Sequence, residues 1–297
     1  MWPRMVSMTS PSVSPRATKP HSHRMILAIS SSSTVIRPRY WHNVGVTLAS
    51  TPLARIQLCG PTVIETGAHR LDGLLPGRQG RLLFAYLVLN RHRLTTRNEM
   101  IEALWPRQLP SASEAGLNAL ISKLRKTLGA GVLEGRSSVR LKLSKDARVD
   151  VEVAEEAVHR AESQLALEEW RRAWGPSLVA LFIAEREFLP GEDAPWIDEQ
   201  RRQLAEVRVR ALEAYAGAAF GTGGTELPAA VRASRELVRL VPLRESGYLL
   251  LMRSLACQGN VAEALRVYSN LCEVLRSELG VSPSSATQAV YDHLLQA

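Results

Sequence analysis

The chain has 297 residues, 45% of them hydrophobic, and a formal net charge of +8. At roughly 100 to 150 residues per domain, this length is enough for two cores. The apolar run at 25–29 is far shorter than the ~20 residues of a membrane helix. The three cysteines, Cys59, Cys257 and Cys272, are too scattered for a disulfide framework. We therefore expect a cytoplasmic protein with two folded domains.

The charge is distributed unevenly along the chain. Residues 1–64 contain seven Lys or Arg and no acidic residue, residues 65–150 contain fifteen against eight, and residues 151–297 contain fifteen against twenty-one. Attraction to phosphate follows the local field more than the overall charge. Residues 1–150 are therefore expected to bind nucleic acid, and the acidic residues 151–297 are expected to have a different function.

Residues 1–54 are rich in Ser, Pro, Thr and Arg and show no sustained periodicity. This composition predicts disorder. A translation start further along the chain explains it equally well, whereas a transit peptide is disfavoured because the amphipathic pattern is missing. The segment is thus predicted to be either a disordered basic tail or a misassigned start.

Short extended runs at 55–58 and 62–65 flank Gly60-Pro61 and predict a strand-turn-strand unit. An apolar stripe then predicts a first helix over 77–90. A second helix is predicted to begin at Thr96, because Thr96 and Glu99 have the residue types and spacing of a capping box. Pro106 is expected to end it.

A third predicted helix has one apolar face and one polar face. The apolar positions are Leu117, Leu120, Ile121, Leu124 and Leu128, and the outward positions are Asn118, Ser122, Lys123, Arg125 and Lys126. Short polar groups can reach base edges in a major groove while cations neutralise phosphates. Taken alone, an ordinary solvated helix face fits equally well. Gly116 costs about 1 kcal/mol in a helix, which favours a start nearer Leu117.

The segment after the third helix favours the DNA-binding interpretation. Gly129-Ala130-Gly131 breaks the helix, and residues 132–143 alternate like a hairpin. The hairpin region carries Arg136, Arg140, Lys142 and Lys145. A basic hairpin behind a basic helix is typical of a winged helix-turn-helix.

Each candidate DNA-binding residue has an expected role. Asn118 and Ser122 are the expected base readers, and Lys123, Arg125 and Lys126 are expected to contact bases or phosphates. Arg97 is expected to hold a phosphate beside the start of the second helix. The wing residues Arg136, Arg140 and Lys142 are expected at the DNA backbone or minor groove.

From residue 151 onward the pattern is helical, with predicted breaks at 175–176, 189–195, 221–224, 242, 259–260 and 280–283. Three pairs lie 34 positions apart, the period of tetratricopeptide helix pairs: Ala230 and Ala264, Val231 and Leu265, and Leu237 and Leu271. Such stacked pairs offer a groove for another protein. The alternative is a helical bundle whose spacing matches by chance.

Nothing in the sequence indicates an enzyme, a cofactor or a metal site. The acidic pairs Glu155-Glu156, Glu168-Glu169 and Glu192-Asp193 stand beside arginines, where solvated salt bridges explain them better than acid-base catalysis. The glycines of 221–224 lack the Lys and Ser/Thr of a phosphate loop.

Trp196, at a predicted helix start, is expected to be a core anchor.

Several motifs resemble the Streptomyces antibiotic regulatory proteins. LCGP at 58–61, RLLFAYL at 81–87, EALWP at 102–106 and SKLRK at 122–126 resemble that family's OmpR-type winged helix. APWIDEQR at 194–201, EVR at 206–208 and ELGVSP at 278–283 resemble its bacterial transcriptional activation domain. The resemblance covers about residues 55–295. One departure lies in the wing, where the family has a Gly-Tyr pair before an apolar residue and this chain has Ser138-Val139-Arg140-Leu141.

The resemblance implies a transcriptional activator that binds direct repeats near a promoter, contacts RNA polymerase, associates with itself on DNA and controls a biosynthetic gene cluster. The predicted fold is mainly α: a winged helix-turn-helix with a small β-sheet over 55–148, then an all-α tetratricopeptide-like domain over 149–297. A protein-interaction adaptor whose winged helix no longer binds DNA remains the alternative.

Overall fold

The computed structural model describes residues 54–66, 69–129 and 131–296. The predicted tail therefore lies outside the described residues, except for Ala54. In chain order the elements are β1 Ala54–Gln57, β2 Val63–Thr66, β3 His69–Arg70, α1 Gly77–Leu89, β4 Thr95–Thr96, α2 Arg97–Leu104, α3 Ser113–Leu128, β5 Leu133–Glu134, β6 Ser138–Leu141, β7 Arg148–Val149, α4 Asp150–Ala166, α5 Trp170–Ala184, α6 Pro195–Thr222, α7 Leu227–Leu240, α8 Glu245–Cys257, α9 Val261–Leu279 and α10 Ser285–Leu295.

Two small sheets frame the first three helices. The first has the strand order β3-β2-β1-β7, with β1 antiparallel to β2 and parallel to β7. The second has the order β4-β6-β5, and its β5-β6 hairpin is the predicted wing. The strands predicted at 55–58 and 62–65 are confirmed. Strands β3, β4 and β7 were not predicted, because two residues show no periodicity.

The helix-turn-helix follows the sequence pattern closely. Thr96 caps α2: the N–H of Glu99 donates to Thr96 Oγ1 at 3.3 Å, and the N–H of Thr96 donates to the Glu99 carboxylate at 2.7 Å. The predicted capping box is thus confirmed. Leu83 of α1, Met100 of α2 and Leu117 of α3 are fully buried in one core.

The predicted start of α3 near Leu117 is wrong, because the helix begins at Ser113. A turn ahead of it sets the start: the N–H of Ser113 donates to the carbonyl of Pro110 at 3.1 Å, and the N–H of Gly116 donates to the carbonyl of Ala112 at 2.9 Å. Gly116 lies inside the helix, facing the ring of Trp105. Packing against Trp105 outweighs the low helix propensity of glycine.

The back half consists of helices, as predicted. Five of the six predicted breaks separate helices, whereas the break at 175–176 is wrong, because α5 runs through Gly175 and Pro176. Burial of Ala173 and Ala180 on either side holds the helix together despite the proline. The turn between α4 and α5 was missed: Glu168 adopts a φ of 56° there, with no glycine or proline to mark it.

Two of the three residue pairs that lie 34 positions apart are buried, as stacked helix pairs require. Ala230, Ala264, Leu237 and Leu271 are all buried. Helices α8 and α9 pack against each other across the turn at Gly259. This residue has a φ of 80°, a conformation that glycine adopts more easily than other residues. None of the helices described here is both long and apolar enough to cross a membrane.

A buried carboxylate joins the first sheet to the helical half. Asp150, the first residue of α4, is 8% exposed and accepts N–H groups from Leu58 at 3.0 Å, Cys59 at 2.8 Å and Val151 at 3.0 Å. Burial raises the pKa of Asp150, and these hydrogen bonds oppose the increase. The carboxylate thus ties the end of β1 to the start of α4.

A second segment from the helical half holds the same strand end. The N–H of Gly60 donates to the carbonyl of Glu187 at 2.7 Å, and the N–H of Leu189 donates to the carbonyl of Leu58 at 2.9 Å. The chain between α5 and α6 is therefore joined to the end of β1 by two backbone hydrogen bonds.

Trp196 seats α6 on the helix-turn-helix. Its Nε1 donates to the carbonyl of Ala103 at 3.1 Å, and its ring meets Tyr86 of α1 and Phe188 edge-on at centroid distances of 5.3 and 6.2 Å. The expectation that Trp196 anchors the core is confirmed. Both halves contribute to one continuous hydrophobic core.

We expect Gly116→Ala to raise the free energy of unfolding by about 1 kcal/mol, because alanine has the higher helix propensity. Its methyl group would lie 3.5 Å from Trp105 Cη2, an ordinary contact. Gly221→Ala is the comparison variant, for which we expect the opposite sign. Its methyl group would lie 2.2 Å from Trp170 Cδ2, so we expect the free energy of unfolding to fall by about 1–3 kcal/mol. Urea unfolding measures both. Shifts of the same sign in the two variants would contradict this reasoning.

We expect Asp150→Asn to lower the free energy of unfolding by about 1–3 kcal/mol. An amide has one acceptor oxygen, and its NH2 group would face backbone N–H groups that have lost their partner. Asp146→Asn is the control, because Asp146 is exposed in the preceding loop and its substitution should cost less than about 0.5 kcal/mol. Equal unfolding midpoints in urea for the two variants would show that the joint does not depend on this carboxylate.

Candidate DNA-binding surface

The outer face of α3 presents the polar side chains that the sequence analysis singled out. Leu117, Leu120, Ile121 and Leu124 are buried, and Leu128 is half-buried. Asn118, Ser122 and Lys126 are exposed at intervals of four residues, so they form one row along the helix, and Lys123 is exposed beside them. The helix therefore offers a continuous polar face.

Lys123 and Lys126 border an open groove. The groove has a volume of about 500 Å³. The residues that line it are Leu74, Pro76, Gly77, Lys123, Lys126 and Thr127. Both lysines thus stand where the face of α3 meets the start of α1.

Arg97 does not extend into solvent as a phosphate clamp would. It is the first residue of α2, and its side chain is 24% exposed. Its Nε and Nη2 donate to Glu114 Oε2 at 2.9 and 2.7 Å, and Nη2 also donates to Asn118 Oδ1 at 2.7 Å. Arg97 therefore contacts Asn118, a predicted base reader, and its positive charge is paired with Glu114.

Arg125 points towards the wing and away from the exposed face of α3. The side chain is half-buried, and its guanidinium donates to the backbone carbonyls of Leu133 and Gly135. Gly135 has a φ of 97°, and a Cβ there would overlap the carbonyl oxygen of Ser138. Arg125 and this glycine together fix how the wing turns beside α3.

The wing packs against the core despite its departure from the family pattern. Val139 and Leu141 of β6 are at most 1% exposed, and Leu133 of β5 pairs opposite Leu141. These buried residues anchor the wing on the core. The outward positions are left for charged residues.

The wing cations lie around one acidic residue. Lys142 Nζ is 3.1 Å and Arg140 Nη2 is 3.3 Å from the Glu134 carboxylate, whereas Arg136 is exposed at the turn. The hydrogen bonds from Lys142 and then Arg140 hold the pKa of Glu134 below its usual value. Glu134 therefore carries its negative charge between the two cations.

Glu114 and Glu134 were not predicted from the sequence as parts of this surface. Glu114 meets Arg97 across 17 residues, and no local pattern indicates that contact. Glu134 lies opposite Arg140 in the hairpin register, so a strand alignment over 132–143 would have indicated it.

The expectation that salt bridges explain the three acidic pairs of the back half is confirmed for four of the six residues. The pairs are Glu156 with Arg160, Glu169 with Arg172, Glu192 with Arg78, and Asp193 with Arg107. Among the described residues, no group of three or more His, Cys, Asp or Glu side chains is arranged to hold a metal ion.

Comparison with known proteins gives a family match in the helical half. Residues 149–295 match the bacterial transcriptional activator domain. The regulatory protein AfsR of Streptomyces coelicolor is 33% identical over 78% of this chain and 25% of its own length. The transcriptional regulator RedD of the same species is 27% identical over 81% of this chain and 70% of its own length.

A solved structure supports the fold. The structure of Mycobacterium tuberculosis EmbR in complex with a low-affinity phosphopeptide superposes with a TM-score of 0.70 at 23% identity, over 82% of this chain and 65% of that one. The chain spans about a quarter of the length of its AfsR relatives. The matched activator domain, the related regulators and the winged helix agree: the helical half is a bacterial transcriptional activator domain, and the chain as a whole resembles the transcriptional regulators of the Streptomyces antibiotic regulatory protein family.

Proposed function

We propose that this chain is a sequence-specific DNA-binding regulator that activates transcription from promoters. The observation that carries the proposal is the exposed polar face of α3, held beside a basic wing. A helix of this kind fits the major groove, and a hairpin beside it reaches the adjacent backbone or minor groove.

The exposed side chains divide into base readers and phosphate contacts. Asn118 and Ser122 are short and stand in the row that would face base edges. Lys123 and Lys126 contact bases or phosphates at the edge of the groove, and the wing residues Arg136, Arg140 and Lys142 contact the DNA backbone or minor groove.

Two of the predicted DNA contacts, Arg97 and Arg125, do not point freely into solvent. Both are half-buried and donate hydrogen bonds to other protein groups, so in this proposal they hold neighbouring residues of the surface in place. Substitutions at Lys123 and Lys126 therefore test DNA contact more directly than substitutions at Arg125, because Arg125 also holds the wing.

The helical half has a regulatory task in this proposal. Residues 151–297 have six more acidic than basic residues, so their field does not favour DNA phosphates. They serve self-association on DNA and contact with RNA polymerase, at a promoter of a biosynthetic or other pathway-specific gene cluster. The protein acts in the cytoplasm, where bacterial DNA is transcribed, and it has no catalytic role.

The first test is binding of the full chain to its own upstream DNA at several salt concentrations, beside Lys123→Ala/Lys126→Ala. We expect sequence-selective, salt-sensitive binding. Each lost phosphate contact lowers the slope of log affinity against log salt by about 0.9. The double variant should therefore bind more weakly, with a slope reduced by about 2.

A control variant removes the same charge from the other half. Arg253→Ala/Arg266→Ala changes two exposed arginines of α8 and α9 and should leave the slope unchanged. Wild-type protein that fails to bind at low salt would overturn the proposal and favour the protein-interaction adaptor, whose winged helix has lost DNA binding.

A second test concerns Glu134. We expect Glu134→Gln to bind DNA roughly two- to tenfold more tightly, because Arg140 and Lys142 lose their exposed ion pairs with the carboxylate and become available to phosphate. The gain should be largest at low salt. Glu65→Gln is the control, since Glu65 forms a similar exposed pair with Arg55 in the other sheet. Equal affinities for Glu134→Gln and wild type would show that Arg140 and Lys142 of the wing do not contact DNA.

A further inference from the structure

One side of α5 is exposed although it carries apolar residues. Helix α5 packs against α4 and against α6. On the side away from these helices, 63% of the surface of Phe182 is exposed, and Val179 is exposed beside it. Of the aromatic residues that the structure describes, Phe182 alone is exposed. Aromatic side chains are enriched at the centres of protein–protein interfaces, so this side of α5 is a candidate contact surface.

The exposed side of α5 consists of two lines of residues along the helix. Arg171, Leu178 and Glu185 follow one another at steps of seven residues, which is about two helical turns. Gly175 and Phe182 form the neighbouring line with the same step. Glu185 directly follows the helix and keeps a helical backbone conformation. We call these five residues the α5 face.

The two charges of the α5 face stand at helix ends that do not favour them. Arg171 lies in the first turn of α5 and Glu185 at its end, whereas the start of a helix favours negative charge and its end favours positive charge. Neither side chain forms an ion pair or a hydrogen bond with another described residue. The neighbouring Arg172, by contrast, pairs with Glu169. Both charges of the face are therefore available to a partner.

A second α5 that lies antiparallel, across a two-fold axis at Leu178, fits this pattern. Positions equally far from Leu178 then face each other, so Arg171 faces Glu185 of the second copy, and the reverse pair forms on the other side of the axis. Each charge also comes to lie beside the helix end that favours it. Phe182 comes to lie above Gly175 of the second copy. An added Cβ at Gly175 would meet no atom within 4 Å, so the space above it is open to the ring.

We propose that the α5 face is a self-association surface, and that its occupant is a second copy of this chain held antiparallel across a two-fold axis. One pair of helices makes a small interface, so we expect a weak dimer in equilibrium with the monomer. The inference goes beyond the proposed function because the dimer forms without DNA. Its two winged helices point in opposite directions, unlike those of protomers side by side on direct repeats.

The first test is sedimentation of the full chain without DNA over a range of concentrations. We expect a monomer–dimer equilibrium in wild type. Phe182→Ala should raise the dissociation constant by roughly tenfold to a hundredfold, because both copies lose their aromatic anchor. Leu295→Ala is the matched control, since Leu295 is 58% exposed on α10, and its substitution should leave the dissociation constant unchanged.

Charge reversal tests the antiparallel arrangement itself. Arg171→Glu or Glu185→Arg alone places like charges opposite each other, so we expect each variant to dimerise more weakly. The double variant Arg171→Glu/Glu185→Arg restores both pairs and should regain most of the wild-type affinity. A mixture of the two single variants should form mixed dimers more tightly than either variant pairs with itself. Both side chains are exposed, so we expect the far-UV circular dichroism of every variant to match wild type.

The outcomes separate this inference from the proposed function. Wild type that remains monomeric at about 100 μM would overturn the inference and leave the α5 face to a different occupant. A dimer that Phe182→Ala does not weaken, or a folded double charge variant that regains no affinity, would overturn it as well. Wild type that pairs only on DNA would overturn the inference alone. Wild type that dimerises but shows no salt-sensitive DNA binding would overturn the proposed function and support the inference.

Discussion

The carboxylate of Asp150 accepts three backbone N–H groups, and two of them belong to Leu58 and Cys59 at the end of the first strand. A buried charge is stable only where hydrogen bonds replace its hydration. The strand end and the start of α4, 91 and 92 residues apart in the chain, therefore have to meet. This contact closes β7 onto β1 and brings the helical half against the winged helix.

The position of the candidate DNA-binding surface depends on that joint. Leu58, at the end of β1, also pairs with the segment that leads into α6, and Trp196 at the start of α6 donates to the carbonyl of Ala103 at the end of α2. The predicted domain boundary between residues 148 and 149 falls inside β7. The hydrophobic core contains buried residues from both sides of this boundary. The orientation of the helix-turn-helix is thus set by residues from both halves.

Local patterns in the sequence predicted the parts of the molecule that depend on neighbours within a few residues. The Thr96 cap needs Glu99 three residues later, and the polar face of α3 follows from helical spacing, so both could be read from the sequence. The partners of Asp150 and Arg97 are distant in sequence and show no period. For the same reason α5 was predicted to break at Pro176, where packing against other helices outweighs the local signal.

The cations of the candidate surface are of two kinds. Arg140 and Lys142 are paired with Glu134 at the protein surface, where such ion pairs contribute little, so a phosphate could replace the carboxylate at small cost. Arg97 is half-buried and makes two hydrogen bonds to Glu114 and one to Asn118, so its release would cost several charge-assisted bonds at once. In the proposed function, the cations of the wing are therefore suited to exchange the carboxylate for a DNA phosphate. The first turns of α3 are suited to meet the bases with their hydrogen-bonding groups already oriented, which reduces the ordering cost of recognition.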